Sequence, residues 1–196
     1  MQNDPYQPRY TKHQKRKKQS LMSDFGVPYK KHTNNDLKSI IKIMTARRSQ
    51  RIFTSEEISE KELYTIKAMM QEVPSSCDRR GVNMFTYEKR DDKDLLSGLL
   101  VGGTGWMHRG QVIILLFADM VAYKNPAERH NMPYFDAGVM IQQGYLIAEA
   151  LNIGCCFVNP NIRVTNKKFF DERFNQVGHL FCGALVFGKY DKKAYK

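Results

Sequence analysis

Residues 133–156 read PYFDAGVMIQQGYLIAEALNIGCC. Phe135, Val139, Met140, Leu146, Ile147, Ala150 and Leu151 leave no broad polar face, so Pro133 to Ile153 is expected to be a helix apolar all round and therefore buried. Gly154 follows as the residue expected to end it, and Cys155 to Val158 then reads as a strand. A buried helix needs a sheet to lie on. Gln111 to Ala118, QVIILLFA, supplies one: an unbroken apolar run of strand length belongs in the middle of a sheet covered on both faces. Leu180 to Phe187 and Val82 to Glu88 add further strands.

Amphipathic segments surround this centre. Leu37, Ile40, Ile41 and Met44 recur at helical spacing behind Asn34 or Asn35 as cap, in a helix that runs toward Arg47. Ser59 and Glu62 form a capping box, with Ile58 placed to staple Leu63, so a helix is expected over about 60–73 with Leu63, Ile66, Met69, Met70 and Val73 inward. Pro74 stops it, and Ser75 to Gly81 reads as a loop. Lys93 to Val101 reads as a short helix, and Gly102, Gly103 and Gly105 as a flexible turn. The whole is an α+β domain.

The chain has 196 residues with 31 Lys plus Arg against 20 Asp plus Glu, a net of +11. Residues 1–33 hold eight of the basic residues and two acids, so +6 falls there and +5 on the remainder. That segment lacks apolar periodicity and is expected to be a basic, flexible N-terminal arm, with residues 34–196 as the folded domain. Lys15 to Lys18 could contact phosphates or nucleic acid, although a short basic run is more often a solvated tail. No apolar run reaches the roughly 18 residues of a spanning helix, and no signal-peptide core is present, so the expected address is cytoplasmic, without membrane contact. Cys77, Cys155, Cys156 and Cys182 lack metal or disulfide spacing, the histidines are scattered, and no metal is expected.

Two polar clusters carry the candidate chemistry. Arg47, Arg48, Ser49 and Arg51 place three guanidinium groups and a hydroxyl within five residues, enough for a charge-assisted phosphate cradle. Basic turns at helix ends are also ordinary, because cations favour that end of the dipole. Ser75, Ser76, Cys77, Asp78, Arg79 and Arg80 offer small hydroxyls and loop amides that can approach a planar ligand; composition alone slightly favours a plain interhelical loop.

The order of four segments narrows the choice: Arg-Arg-Ser-x-Arg-x-Phe (Arg47–Phe53), Pro-Ser-Ser-Cys (Pro74–Cys77), Phe-Asp-Ala-Gly (Phe135–Gly138) and Asn-Ile-Gly-Cys-Cys (Asn152–Cys156). Over about residues 36–190 this resembles the nitroreductase family of FMN-dependent oxidoreductases. The resemblance implies a sandwich with a central, mostly antiparallel sheet packed between helices, and an obligate-type homodimer with FMN at its interface. By that likeness Arg47, Ser49 and Arg51, with Arg48 beside them, hold the phosphate and ribityl chain. Pro74, Ser75, Ser76 and Cys77 border the ring of the neighbouring subunit's flavin, with Asp78 and Arg80 where the family has Asn and Gln. Gly154 and Cys155 match a turn whose backbone faces the flavin edge. Asp136 matches the family's Asp and is expected to cap the long helix.

The implied activity is ping-pong hydride transfer from NADH or NADPH through FMN to an electron-poor small molecule, a quinone or nitroaromatic, with the flavin carrying the chemistry and no catalytic side chain. Trp106, Met107 and His108 are candidates for the substrate side. The chain departs from the family at Asp78 to Val82, which lacks the usual proline and aromatic residue. A specialised flavin-dependent dehydrogenase or reductase of a biosynthetic intermediate is therefore an alternative, and a basic polyanion-binding protein with a vestigial flavin fold is another. Lys189, Lys192 or Lys193 could replace the phosphate contact that relatives take from a longer C-terminus.

Overall fold

Alternate residues of Val112–Asp119 (β2) enter two separate cores, and this is what the unbroken apolar run encodes. Val112, Ile114, Leu116 and Ala118 join one cluster; Ile113, Leu115 and Phe117 join the other. The computed structural model describes residues 22–27 and 31–191, so most of the expected arm, including Lys15 to Lys18, lies outside the described residues, as do Lys192 and Lys193. The chain divides into units 1–41 and 42–196, a boundary that falls within the helix Asn34–Ala46 (α1).

In the second unit the elements follow as Glu60–Gln71 (α2), Val82–Tyr87 (β1), Arg90–Leu99 (α3), β2, Pro126–Arg129 (α4), Met132–Ala150 (α5), Ile153–Val158 (β3), Lys167–Arg173 (α6) and His179–Lys189 (β4). The strands pair antiparallel in the order β1-β2-β4-β3. Residues of α2 and α5 (Ile66, Met70, Ala137, Met140, Tyr145) cover one face, and those of α3 and α6 (Leu96, Leu99, Phe170) cover the other. The expected α+β sandwich is the observed one. Between Leu116 and Phe117 the register slips, leaving Cys182 as an extra residue on β4. Gly183 beside it has φ +118, and a Cβ there would sit 2.8 Å from the Val158 carbonyl oxygen. Only glycine suits that bulge.

The capping box at α2 is present: Ser59 accepts from the Glu62 N–H, and the Glu62 carboxylate accepts from the Ser59 N–H at 2.9 Å. Elsewhere the caps differ from expectation. α1 is opened by Thr33 rather than Asn34 or Asn35, through a reciprocal pair in which the Thr33 N–H and hydroxyl donate to Asp36 at 2.7 and 2.8 Å. α5 ends before Asn152, which takes the left-handed φ of +57, while Gly154 lies inside β3. Asn is the commonest substitute for Gly in that conformation. The reason Gly154 has no side chain is packing: a Cβ would meet the Gln50 Cβ and the Gly188 carbonyl oxygen, each at 3.0 Å.

α5 is also not buried all round. Pro133, Asp136, Ala137, Met140, Gly144, Tyr145 and Ala148 face inward, whereas Phe135 is 64% exposed and Val139 42%. On α1 the apolar stripe Leu37, Ile40, Ile41 and Met44 is 49–56% exposed.

Candidate functional site

β3 is extended on its open edge by the segment that follows α1. Ser49 bridges Cys155 in parallel, and the Gln50 N–H donates to the Cys155 carbonyl at 2.9 Å. That pairing fixes the alternation of the segment, with Gln50 only 5% exposed and Arg51 outward. Phe53 then packs where Gly154 and Gly188 leave room.

Each arginine that brackets Ser49 rests on an aromatic ring. The Arg47 guanidinium lies 5.0 Å from the centroid of Tyr145, and that of Arg51 lies 5.7 Å from Trp106, inside the range of cation–π attraction. Among the described residues neither is ion-paired, and nor is Arg48. Arg48 commits Nη1 to the Thr45 and Arg47 carbonyls at 2.8 and 3.0 Å, so part of its fork closes the end of α1. The Ser49 hydroxyl is 3.1 Å from the Tyr145 hydroxyl, which also accepts the Phe157 N–H at 2.7 Å. Burial pushes the Tyr145 phenol above its ordinary value.

Gly154 and Cys155 accordingly sit in a strand, not in a turn. The Cys155 and Cys156 thiols are raised by burial, Cys155 well above the ordinary thiol value. They remain protonated, consistent with small core residues.

The second cluster is a 3₁₀ turn, Ser76–Asp78, which begins five residues past the end of α2 and just after Pro74. Cys77, Asp78 and Arg80 all have left-handed backbone, φ 52, 54 and 51, a conformation that costs roughly 1–2 kcal/mol per non-glycine residue. What holds it is local and specific. The Arg80 N–H donates to the Ser75 hydroxyl at 2.8 Å, and the Ser76 N–H and hydroxyl donate to Asp136 at 2.9 and 3.0 Å. Asp78 and Arg80, the two departures from the family pattern, face each other at 3.3 Å, and Arg80 also reaches Glu72 at 3.9 Å. Their charges offset locally.

Asp136 is not the cap of α5. It is the fifth residue of that helix, 6% exposed, and its second oxygen accepts the Tyr123 hydroxyl at 2.9 Å; burial and this carboxylate push the Tyr123 phenol upward. It ties the 3₁₀ turn to the helix. Asp136 and Tyr145 stand nine residues apart, about 13.5 Å of helix rise, so α5 supports both clusters.

Of the three residues expected on the substrate side, Met107 is fully buried in the α3–α6 core and cannot line a cleft. His108 is tethered through Nδ1 to Ser97 at 3.2 Å. Trp106 alone joins the first cluster, with its indole N–H on the Gly102 carbonyl at 2.9 Å and its ring near Arg51 and Phe53. Lys189 is not available for an anion: its ammonium is paired with Glu62 at 2.6 Å. Tyr145 was not among the residues expected at the site; it is one of two phenols on α5, the buried one, while Tyr134 is exposed.

The sheet order, the two helical layers and the segment added to β3 define the class. The sequence model of the nitroreductase family matches residues 99–189, a little under half of the chain. The NAD(P)H FMN reductase of Bacillus subtilis is 27% identical over 132 residues, covering 60% of this chain and 53% of that protein, so the chain spans about half the length of that relative. A nitroreductase family protein from Clostridium novyi superimposes with a TM-score of 0.68 at 14% identity, covering 80% of this chain and 88% of the other. An FMN-dependent nitroreductase from Clostridium difficile does so at 0.66 and 20% identity, covering 78% and 88%. No helix among the described residues is long and apolar enough to cross a membrane, and no group of side chains there could hold a metal ion.

Proposed function

We propose that the chain is an FMN-dependent NAD(P)H oxidoreductase whose cofactor phosphate is held by Arg47, Ser49 and Arg51, with Arg48 beside them. The observation that carries this is the pair of aromatic-backed arginines flanking a serine hydroxyl, with no carboxylate among the described residues paired to either. Two partly immobilised guanidinium forks and one hydroxyl suit a dianionic phosphate, since each fork supplies several N–H donors at little further entropic cost. The names of the relatives, an FMN reductase and an FMN-dependent nitroreductase, agree with this choice of anion.

Bound there, FMN would accept a hydride from NADH or NADPH and deliver it to an electron-poor small molecule such as a quinone or nitroaromatic. The protein's part is placement. Trp106 and Phe53 give the first cluster an apolar flank, and Ser75, Ser76 and Cys77 present a rigid, strained turn to border a ring. In a homodimer that turn would serve the neighbouring subunit's flavin, and the exposed apolar residues of α1 and α5 are what such a partner would cover. No acid or base side chain is required, and the cytoplasmic address fits a nicotinamide-fed enzyme.

A second reading, a flavoenzyme dedicated to one biosynthetic intermediate, draws on the Asp78–Arg80 pair in place of the family's neutral residues. NAD(P)H oxidation with and without a panel of quinones and nitroaromatics separates the two: broad stimulation supports the general reductase. Purified protein that is colourless and takes up no added FMN overturns both.

A further inference from the structure

We infer that Tyr145 is a positioning residue that turns Ser49 into a phosphate donor and holds Arg47 in place, so that this one buried phenol sets how strongly the site prefers a phosphorylated flavin. The inference rests on the flavin reading above and concerns a residue outside the Arg47–Arg51 segment.

The chain of hydrogen bonds begins with a group that can only donate. The Phe157 N–H, in β3, gives its hydrogen to the Tyr145 hydroxyl at 2.7 Å, which occupies one lone pair of that oxygen. The Tyr145 proton is then free to point at the Ser49 Oγ, 3.1 Å away, with the Cys156 thiol beside both hydroxyls. A serine hydroxyl that accepts from Tyr145 has its own single proton left for a third partner. Either hydroxyl can donate across the Tyr145–Ser49 contact; when Tyr145 donates, the open end of the chain is the Ser49 proton, and an anion placed there favours that arrangement. Chained hydrogen bonds polarise one another, which strengthens that last donor toward an anion. A serine lacking this neighbour would be as free to accept as to donate.

The ring does a second job. Its face lies under the Arg47 guanidinium at 5.0 Å, and the negative quadrupole of the ring restrains the cation without consuming its N–H donors. Tyr145 is 8% exposed, so it would not touch the cofactor: it acts through Ser49 and Arg47. Because both point to one anionic group, its effect should be confined to the phosphate end of the ligand.

The test compares FMN with riboflavin, which share the ring and differ in the phosphate. Flavin-free full-length protein is titrated with each by fluorescence quenching. In Tyr145→Phe, which keeps the ring, FMN affinity should fall roughly three- to tenfold, the worth of one hydrogen bond, with riboflavin affinity unchanged. In Tyr145→Leu, FMN affinity should fall roughly a further three- to tenfold as the platform for Arg47 is lost. Ser49→Ala should itself weaken FMN selectively, and adding Tyr145→Phe to it should cost nothing more, because the hydroxyl then has nothing to orient. FMN binding unchanged in Tyr145→Phe, FMN and riboflavin weakened equally, or Ser49→Ala binding FMN like the wild type would each overturn the role of Tyr145. Since Ser49→Ala leaves Tyr145 in its core position, unchanged FMN binding in that variant overturns the proposal even where a Tyr145 variant folds poorly. A wild-type protein that binds neither flavin overturns the parent reading instead.

Discussion

The Asp136 carboxylate accepts both the backbone N–H and the hydroxyl of Ser76, 60 residues earlier, at 2.9 and 3.0 Å through a single oxygen. A turn with three left-handed non-glycine residues is thereby fastened to the first turns of α5. Replacing Asp136 by Asn removes the charge that strengthens these bonds and leaves the Tyr123 hydroxyl poorly matched. The expected cost is about 1.5–3 kcal/mol, read from the denaturation midpoint, with faster proteolysis within residues 75–80. Unaltered stability would show that the turn holds itself.

The Glu62–Lys189 pair predicts a pH dependence. The Lys189 ammonium, then burial, the Ser59 N–H and the Ser59 hydroxyl act on the Glu62 carboxyl, and the balance lowers it from 4.5 to about 2. A carboxylate depressed in the folded state stabilises above its unfolded value and loses that contribution as pH falls toward the folded one. Wild type should exceed Glu62→Gln by about 1–2 kcal/mol at pH 7, a figure discounted because the Glu62 side chain is still 25% exposed. The gap should close between about pH 4.5 and pH 2. A gap independent of pH would contradict the pairing.

Gly188 tests the seat of the candidate phosphate segment. A Cβ there would lie 2.5 Å from Phe53 Cδ1 and 2.8 Å from its Cγ, and Phe53 cannot simply leave, since the next residue, Thr54, donates its N–H to the Lys189 carbonyl at 2.8 Å. Gly188→Ala should destabilise by about 1–3 kcal/mol through overpacking. Gly98, in α3, has nothing within 4 Å of the same position, and Gly98→Ala should stabilise by about 0.5–1 kcal/mol. Thermal unfolding of the two variants should move in opposite directions.

The proposed homodimer predicts a change of mass. Ile40→Glu and Phe135→Glu place charges on apolar residues that are 50% and 64% exposed in the single chain. Sedimentation equilibrium should show a dimer for the wild type and a shift to monomer for the pair. A monomeric wild type would contradict that part of the account.

What the sequence made legible was what local chemistry decides. The QVIILLFA run, the Ser59–Glu62 box and the halt before Pro74 each involve residues close in the chain, and each was found in place. The failures come from contacts distant in sequence. Asp136 resembled a cap until Ser76 and Tyr123 were brought to it by folding. Gly154 resembled a helix stop, but its small size serves Gln50 and Gly188, and Asn152 makes the turn. Met107 lay in a polar, glycine-rich stretch yet points into the core, and Lys189 meets Glu62 across 127 residues. Arg47, Ser49 and Arg51 can be read together because they share one short segment, whereas Tyr145 and Trp106, whose rings lie beside Arg47 and Arg51, come from elsewhere in the chain and carry no local mark.

The visible absorption spectrum of the purified protein, followed by identification of whatever denaturation releases, bears most directly on the central claim. The account predicts the bands of an oxidised flavin and release of FMN, with both lost or much weakened in Arg47→Ala combined with Arg51→Ala. A protein without visible absorbance that takes up no added FMN would contradict it.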